Sequence, residues 1–405
     1  MRIWCFVHKG RFFLKGFLKS LELRYILAST FAFFTSFFMI IPIVPKYVEY
    51  LGASEFVIGL VVGAFGITSV TSRPFIGEYV DRRGTKLIMF FGALISAFAS
   101  AIYPWVENVA FLALVRVMHG VGLGAFTTSA LTWIAKAAPD ERKGEVIGGY
   151  GMVIMMAMAI GPSLGGFAYD IFGFKAAFSL AFLIGLFSAL LTLCVSEKHI
   201  VLRSFGAKGA FREMLASKPV MLSALGIALL TSGYSSLTSF FPIFSERYGL
   251  CGFDVGLFFT MYALANIAIR MPAGKATDKF GEKAVATPFS LLAALSLLGI
   301  SIVREKLFFY VLAASFGLGF GALYVSLLTF ALRFSPRDIR GVVSAILTAS
   351  FDLGLVLGSA ALGALAELYG FKAMYAIAST ALFSCALLTL IGMGGSKTLV
   401  IQVHA

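Results

Sequence analysis

Residues 307–332 carry no charged side chain, and neither do residues 284–303 or 176–196. An apolar run of about twenty residues is the length an α-helix needs to cross the hydrocarbon of a bilayer. Inside that hydrocarbon every backbone N–H and C=O must find a partner within the protein, and a helix meets this demand within a single segment. A membrane barrel would show apolar/polar alternation over about ten residues instead. Reading the runs as spans, with the charges left to the loops, gives twelve helices. They lie near residues 25–47, 55–75, 86–104, 109–134, 146–168, 174–195, 219–244, 254–274, 284–302, 307–331, 342–366 and 373–393. The expected class is therefore all-α and integral to a membrane. Composition agrees: 59% of residues are hydrophobic and 13% charged, against about a quarter charged in soluble domains.

The charges have a side. With the N-terminus inside, 26 of the 33 Lys and Arg fall on cytoplasmic segments and 6 on outer ones, leaving Arg116 inside a helix. The formal net charge of +13 is thus mostly a positive-inside bias, and no nucleic-acid partner is needed to explain it. Both termini are expected in the cytoplasm. The basic, aromatic opening segment 1–24 reads as a stretch lying on anionic membrane lipid, or as a plain topogenic tail. Four scattered cysteines, Cys5, Cys194, Cys251 and Cys385, suggest neither a disulfide framework nor a metal site.

One burst of charge, "RPFIGEYVDRRGTK" at 73–86, has a twin 197 positions on, "RMPAGKATDKFGEK" at 270–283. Gly77, Asp81 and Gly84 match Gly274, Asp278 and Gly281. The same offset relates Pro45 to Pro242, "GVGLGA" (120–125) to "GLGFGA" (317–322), and "GFKA" (173–176) to "GFKA" (370–373). The chain is two six-helix halves in tandem. Six is even, so both halves enter the membrane the same way, a parallel repeat about an axis along the membrane normal. The expected organisation is a basic segment 1–24, a bundle 25–195, a cytoplasmic linker 196–218, a second bundle 219–393 and a tail 394–405.

These elements resemble the major facilitator superfamily. "GEYVDRRGTK" is similar to that family's loop signature between helices 2 and 3, and the second copy falls between helices 8 and 9. "RVMHGVGLGA" from Arg116 resembles its helix-4 motif, and "GPSLGG" (161–166) the helix-5 motif of its exporters. The resemblance covers the whole chain and points to the twelve-helix drug:proton antiporter group, whose members usually work as single chains in the plasma membrane. It implies that Asp81, set among Gly77, Arg82 and Gly84, latches the halves on the cytoplasmic side by binding the start of helix 11 near Gly341. By symmetry Asp278, between Gly274 and Gly281, would face the start of helix 5 near Glu145. Arg82, Arg83 and Lys86 serve equally well as topogenic cations.

Arg116 lies inside helix 4, and an ionisable group there is a functional hypothesis by default. Its motif implies tuning of nearby acids; a carbonyl clamp is the plainer reading. His119 reads as a packed histidine. Asp352 is the only acid deep in a predicted helix and suits a proton carrier, or an acid satisfied by its neighbours. Helix 1 has no acid, a departure from many proton-coupled members of the family. Gly161, Pro162 and Gly165 permit close packing of helix 5. Phe34, Phe37, Phe38, Met156, Tyr234 and Asn266 are the candidates for an aromatic, mostly apolar substrate cavity.

No phosphate-binding loop, nucleophile–base pair or metal constellation stands out, so neither enzyme chemistry nor a cofactor is expected. The leading expectation is a secondary-active, alternating-access exporter of small amphipathic or organic solutes, coupled to protons. The alternatives are an uptake symporter or facilitator for a sugar or organic anion, and a non-transporting membrane sensor on the same fold.

Overall fold

The computed structural model describes residues 21–138, 143–197, 214, 216–336 and 339–393; the side chains of Asp81 and of residues 143–145 are outside the described set. The opening segment, most of the linker and the tail after residue 393 therefore lie outside the described residues, as do the side chains of Asp81 and Glu145 on which the latch expectation partly rests.

Twelve spans are present among the described residues. In chain order they are α1 (Leu21–Tyr50), with a turn at residues 40–42, α2 (Glu55–Arg83), α3 (Lys86–Ile102), α4 (Val109–Ala137), α5 (143–172) and α6 (174–193). The second half has α7 (Lys218–Glu246), α8 (Gly252–Phe280), α9 (Glu282–Ile302), α10 (Lys306–Arg333), α11 (340–369) and α12 (371–392). The only non-helical residues between α5 and α6 and between α11 and α12 are Gly173 (φ 76°) and Gly370 (φ 79°). A left-handed backbone of that kind is open to glycine at little cost, so each pair of spans reverses on one residue.

The repeat is written into the backbone. Six glycines have positive φ: Gly52, Gly84 and Gly173, and their partners 197 positions on, Gly249, Gly281 and Gly370. Every sharp reversal that needs a glycine in the first half recurs in the second.

The helices outrun the expected spans, most plainly at α2, which continues from residue 75 to Arg83. The signature residues 77–83 are thus helical, not a turn, and Gly84 (φ 90°) ends the helix. Charged side chains at a helix end reach water while the backbone stays internally bonded, so polarity there does not break the helix. α8 likewise runs on to Phe280 and stops at Gly281.

α1 packs along α5 and α6, α2 along α4, and α3 along α4 and α6; the second half repeats this with α7 against α11 and α12, α8 against α10, and α9 against α10 and α12. The two bundles meet through α2 with α11 and α5 with α8. The ends carrying residue 21, the 83–86 turn and the start of α7 form one face, here the basic face.

Candidate functional site

The closest backbone contacts between the bundles lie on the side opposite the basic face. A Cβ on Gly59 or Gly63 of α2 would collide with Ser359 of α11. A Cβ on Gly166 of α5 would meet the Gly252 backbone, and one on Gly256 of α8 would meet Pro162 and Ser163. Nearer the basic face, Gly77 of α2, Gly148 and Gly151 of α5 and Gly341 of α11 have nothing within 4 Å of an added Cβ. Of the helix-5 motif, Gly161 and Gly165 pack on Phe38 and the Met39 backbone of α1, while Pro162 faces Gly256 across the bundle boundary.

Among the described residues, three contacts made by charged side chains tie the bundles on that opposite face. Lys46 of α1 is buried and pairs with Glu246 of α7. Asp170, at the end of α5, accepts from the backbone N–H of Gly252 and of Phe253, each at 2.7 Å, at the start of α8. Glu367, 197 positions on, accepts from the N–H of Phe56 at 3.1 Å at the start of α2. Helix starts leave N–H groups without internal partners and carry the positive dipole end, so each carboxylate satisfies orphan donors and the helix field together.

Between the bundles lies a cavity of about 390 Å³. Its aromatic wall includes Phe34, Phe37 and Phe38 of α1, Tyr234 of α7, Tyr262 of α8 and Phe320 of α10. The rings of Tyr234 and Tyr262 stack at 5.1 Å between centroids. Met156 does not reach it: this side chain is 49% exposed on the outside of α5, and Met155 and Met158 line the cavity instead. The methionine run covers a full turn of helix, and only the turn's inner face meets the cavity.

Four charged groups line the cavity, and three are arginines. Arg73 of α2 pairs with Asp352 of α11 at 3.1 Å, bridging the two bundles. Arg116 is buried, donates to the Val62 carbonyl at 3.0 Å and lies 4.6 Å over the Phe65 ring. Arg270 of α8 donates through Nε to Asn266 Oδ1 at 2.9 Å, and Asn266 Nδ2 donates to the Tyr262 hydroxyl at 3.2 Å. These three residues are four apart and stack along one helix face. His119 is packed between the Tyr103 hydroxyl, 3.2 Å from Nδ1, and the Phe37 ring, and does not line the cavity.

Of the signature segments, only the second has its aspartate among the described side chains. Asp278 lies 3.6 Å from Arg333 within its own bundle, while Arg333 also pairs with Glu282 at 2.9 Å. Arg82 pairs with Glu78 on an exposed surface. Gly84 packs on the carboxylate of Glu197, which accepts from the Thr85 and Lys86 backbone N–H at 2.9 and 2.8 Å and so caps α3. The structure thus brings Phe34, Phe37, Tyr234, Asn266, Arg116 and Asp352 to one cavity and leaves the Asp278 end of the repeat outside it.

Sequence reasoning counted Arg73 and Arg270 with the cytoplasmic charges and missed them as cavity residues, although both fall near the ends of the predicted spans 55–75 and 254–274. The rule applied to Arg116, that a charge within a span is functional until shown otherwise, would have found them. Asp170 and Glu367 were legible as an acid repeated at the 197 offset.

A family model described as Major Facilitator Superfamily matches residues 26–259 and 251–397. The chain is 26% identical to the staphylopine export protein of Staphylococcus aureus, over 86% of this chain and 90% of that one. It is 25% identical to the multi-drug resistance efflux pump PmrA of Streptococcus pneumoniae, over 86% and 90%. Among solved structures, a bacterial homologue of the human lysosomal transporter Spinster, inward-facing and unoccupied, superposes with a TM-score of 0.77 at 16% identity, covering 92% of this chain and 94% of that one. The nucleoside transporter NupG gives 0.76 at 14% identity, covering 92% and 99%.

Proposed function

Since the chain belongs to the major facilitator superfamily, and is a multi-pass membrane transporter rather than an enzyme, we propose that it works by alternating access and exports small amphipathic or organic solutes against inward proton flow. The observation that carries this reading is the Arg73–Asp352 pair, which joins the two bundles on the cavity wall. A proton on Asp352 removes the charge that holds Arg73, so one protonation changes both the cavity and the contact between the bundles. The moving units are the bundles 25–195 and 219–393, and a single chain contains both. The positive-inside bias puts both termini in the cytoplasm and the basic face with them, in the plasma membrane. Close backbone contact between the bundles on the opposite face supports reading this as the inward-facing state. The names of relatives, an export protein and an efflux pump, favour export.

A second reading, proton-coupled uptake of an organic anion, is favoured by the three arginines and single acid of the cavity. A protonated Asp352 adds to the positive field there, so proton and anion would load together. Proteoliposomes with an internal pH dye separate the two. Lipophilic cations, sugars and organic acids are added singly across an imposed pH gradient. A substrate-dependent proton movement that disappears in Asp352→Asn supports coupling at this pair, and its sign gives the direction. Undiminished uphill transport in that variant removes Asp352 from the role.

A further inference from the structure

The pseudo-symmetry of the cavity is broken at one charge. Arg73 and Arg270 occupy equivalent positions and both line the cavity. Arg73 has Asp352 at 3.1 Å. The position equivalent to Asp352 in the first half is Met155, which also lines the cavity and offers Arg270 no charge. Arg270 is held instead by a neutral amide, Asn266, and lies 5.8 Å over the Tyr324 ring. Arg116 is a second cation of the same kind: its neighbours are the Val62 carbonyl, the Tyr103 hydroxyl and the Phe65 ring, all uncharged, and its buried Nε makes no hydrogen bond. Among the described residues, no carboxylate pairs with either arginine.

We propose that Arg270 binds the anionic group of an amphipathic substrate, a carboxylate, sulfonate or phosphate, whose apolar part lies on Phe34, Phe37, Tyr234 and Phe320, while Arg116 adds to the positive field of the same cavity. With Arg73 neutralised by Asp352, two guanidinium charges remain in a cavity walled mainly by apolar groups. Charge is costly in such surroundings unless it is paired, and a guanidinium presents a planar set of donors that matches an oxygen anion. A permanently cationic solute would meet like charge in the same low-dielectric space. The inference rests on the cavity being the transporter's substrate site, and it holds for either direction of transport.

The test uses three naphthalenes of similar size that differ in charge: naphthalene-2-sulfonate, its neutral sulfonamide and 2-naphthyltrimethylammonium. Binding to the purified full chain in lipid nanodiscs is measured against empty nanodiscs. The sulfonate is expected to bind at least about tenfold more tightly than the ammonium compound. Arg270→Gln should weaken the sulfonate about tenfold, the scale of one lost charge-assisted contact, and leave the sulfonamide within about twofold. Arg270→Lys should recover only part of the loss, since it restores the charge but not the planar donor set. Unchanged sulfonamide binding shows that the variant is folded. Ammonium binding as tight as the sulfonate's, no sulfonate binding at all, or sulfonate binding indifferent to Arg270→Gln overturns the proposal. Sulfonate binding with the expected pattern but no carriage into proteoliposomes would keep the anion site and remove the transport reading. Carriage of the ammonium compound alone would do the reverse.

Discussion

The two carboxylate caps on the face away from the basic loops give the sharpest prediction. Asp170 and Glu367 belong to opposite bundles, and each caps a helix start of the other. If the bundles rock, these contacts exist only while this face is closed. Replacing a capping carboxylate by alanine costs about 0.5–2 kcal/mol. Asp170 makes two bonds of 2.7 Å, so Asp170→Ala is placed at about 1.5 kcal/mol, and the lone 3.1 Å bond of Glu367 at about 0.7 kcal/mol by the same scale. The sites share no partner, so the effects should add to about 2.2 kcal/mol, roughly fortyfold in the equilibrium between states. A state with this face open that is populated at about 1% would then rise to about 30%. Spin labels on Tyr50→Cys and Tyr369→Cys, both on this face and in different bundles, report the separation by electron–electron distance measurement, with the native cysteines replaced. The double variant should show a second, longer distance absent from the parent, with Asp170→Ala between the two. A distance distribution identical to the parent's in the double variant would mean the caps do not hold the face closed.

Other outcomes follow from the same geometry. Asp352→Asn should abolish proton-driven accumulation while sparing substrate exchange, because the Arg73 contact loses the charge that a proton would modulate; pH-independent counterflow at parental rate is the check. Gly256→Val sets a side chain against the Pro162 and Ser163 backbone, and should shift the same spin-label distances toward the open form by more than the single cap variants do; an unchanged distribution would show that this seam yields. Asp81→Asn should destabilise the state closed at the basic face, raising maleimide labelling of a cysteine placed at Gly151, which lines the cavity; equal labelling in the parent and the variant would remove Asp81 from a latch.

The apolar runs determined a great deal without any tertiary information. A segment of about twenty uncharged residues in a bilayer has no stable form but a helix, and the parity of six spans set both halves in one orientation. The 197-residue offset relates every positive-φ glycine pair among the described residues, because a sharp reversal needs glycine in both copies. Individual side chains were less legible. Met155 and Met158 line the cavity while Met156, between them, faces outward, and an apolar run encodes no rotational phase when lipid and protein interior are equally apolar. Asp352 and Arg116 stood out as charges in oil, but that Asp352 meets Arg73 across the bundles, while Arg270 meets an amide and a ring, depends on how two bundles lean together. Sequence sets the elements because backbone hydrogen bonds in hydrocarbon are local. Which charges pair, and which face is shut, is decided between segments far apart in the chain, where only the packed structure says which donor lies within 3 Å of which acceptor.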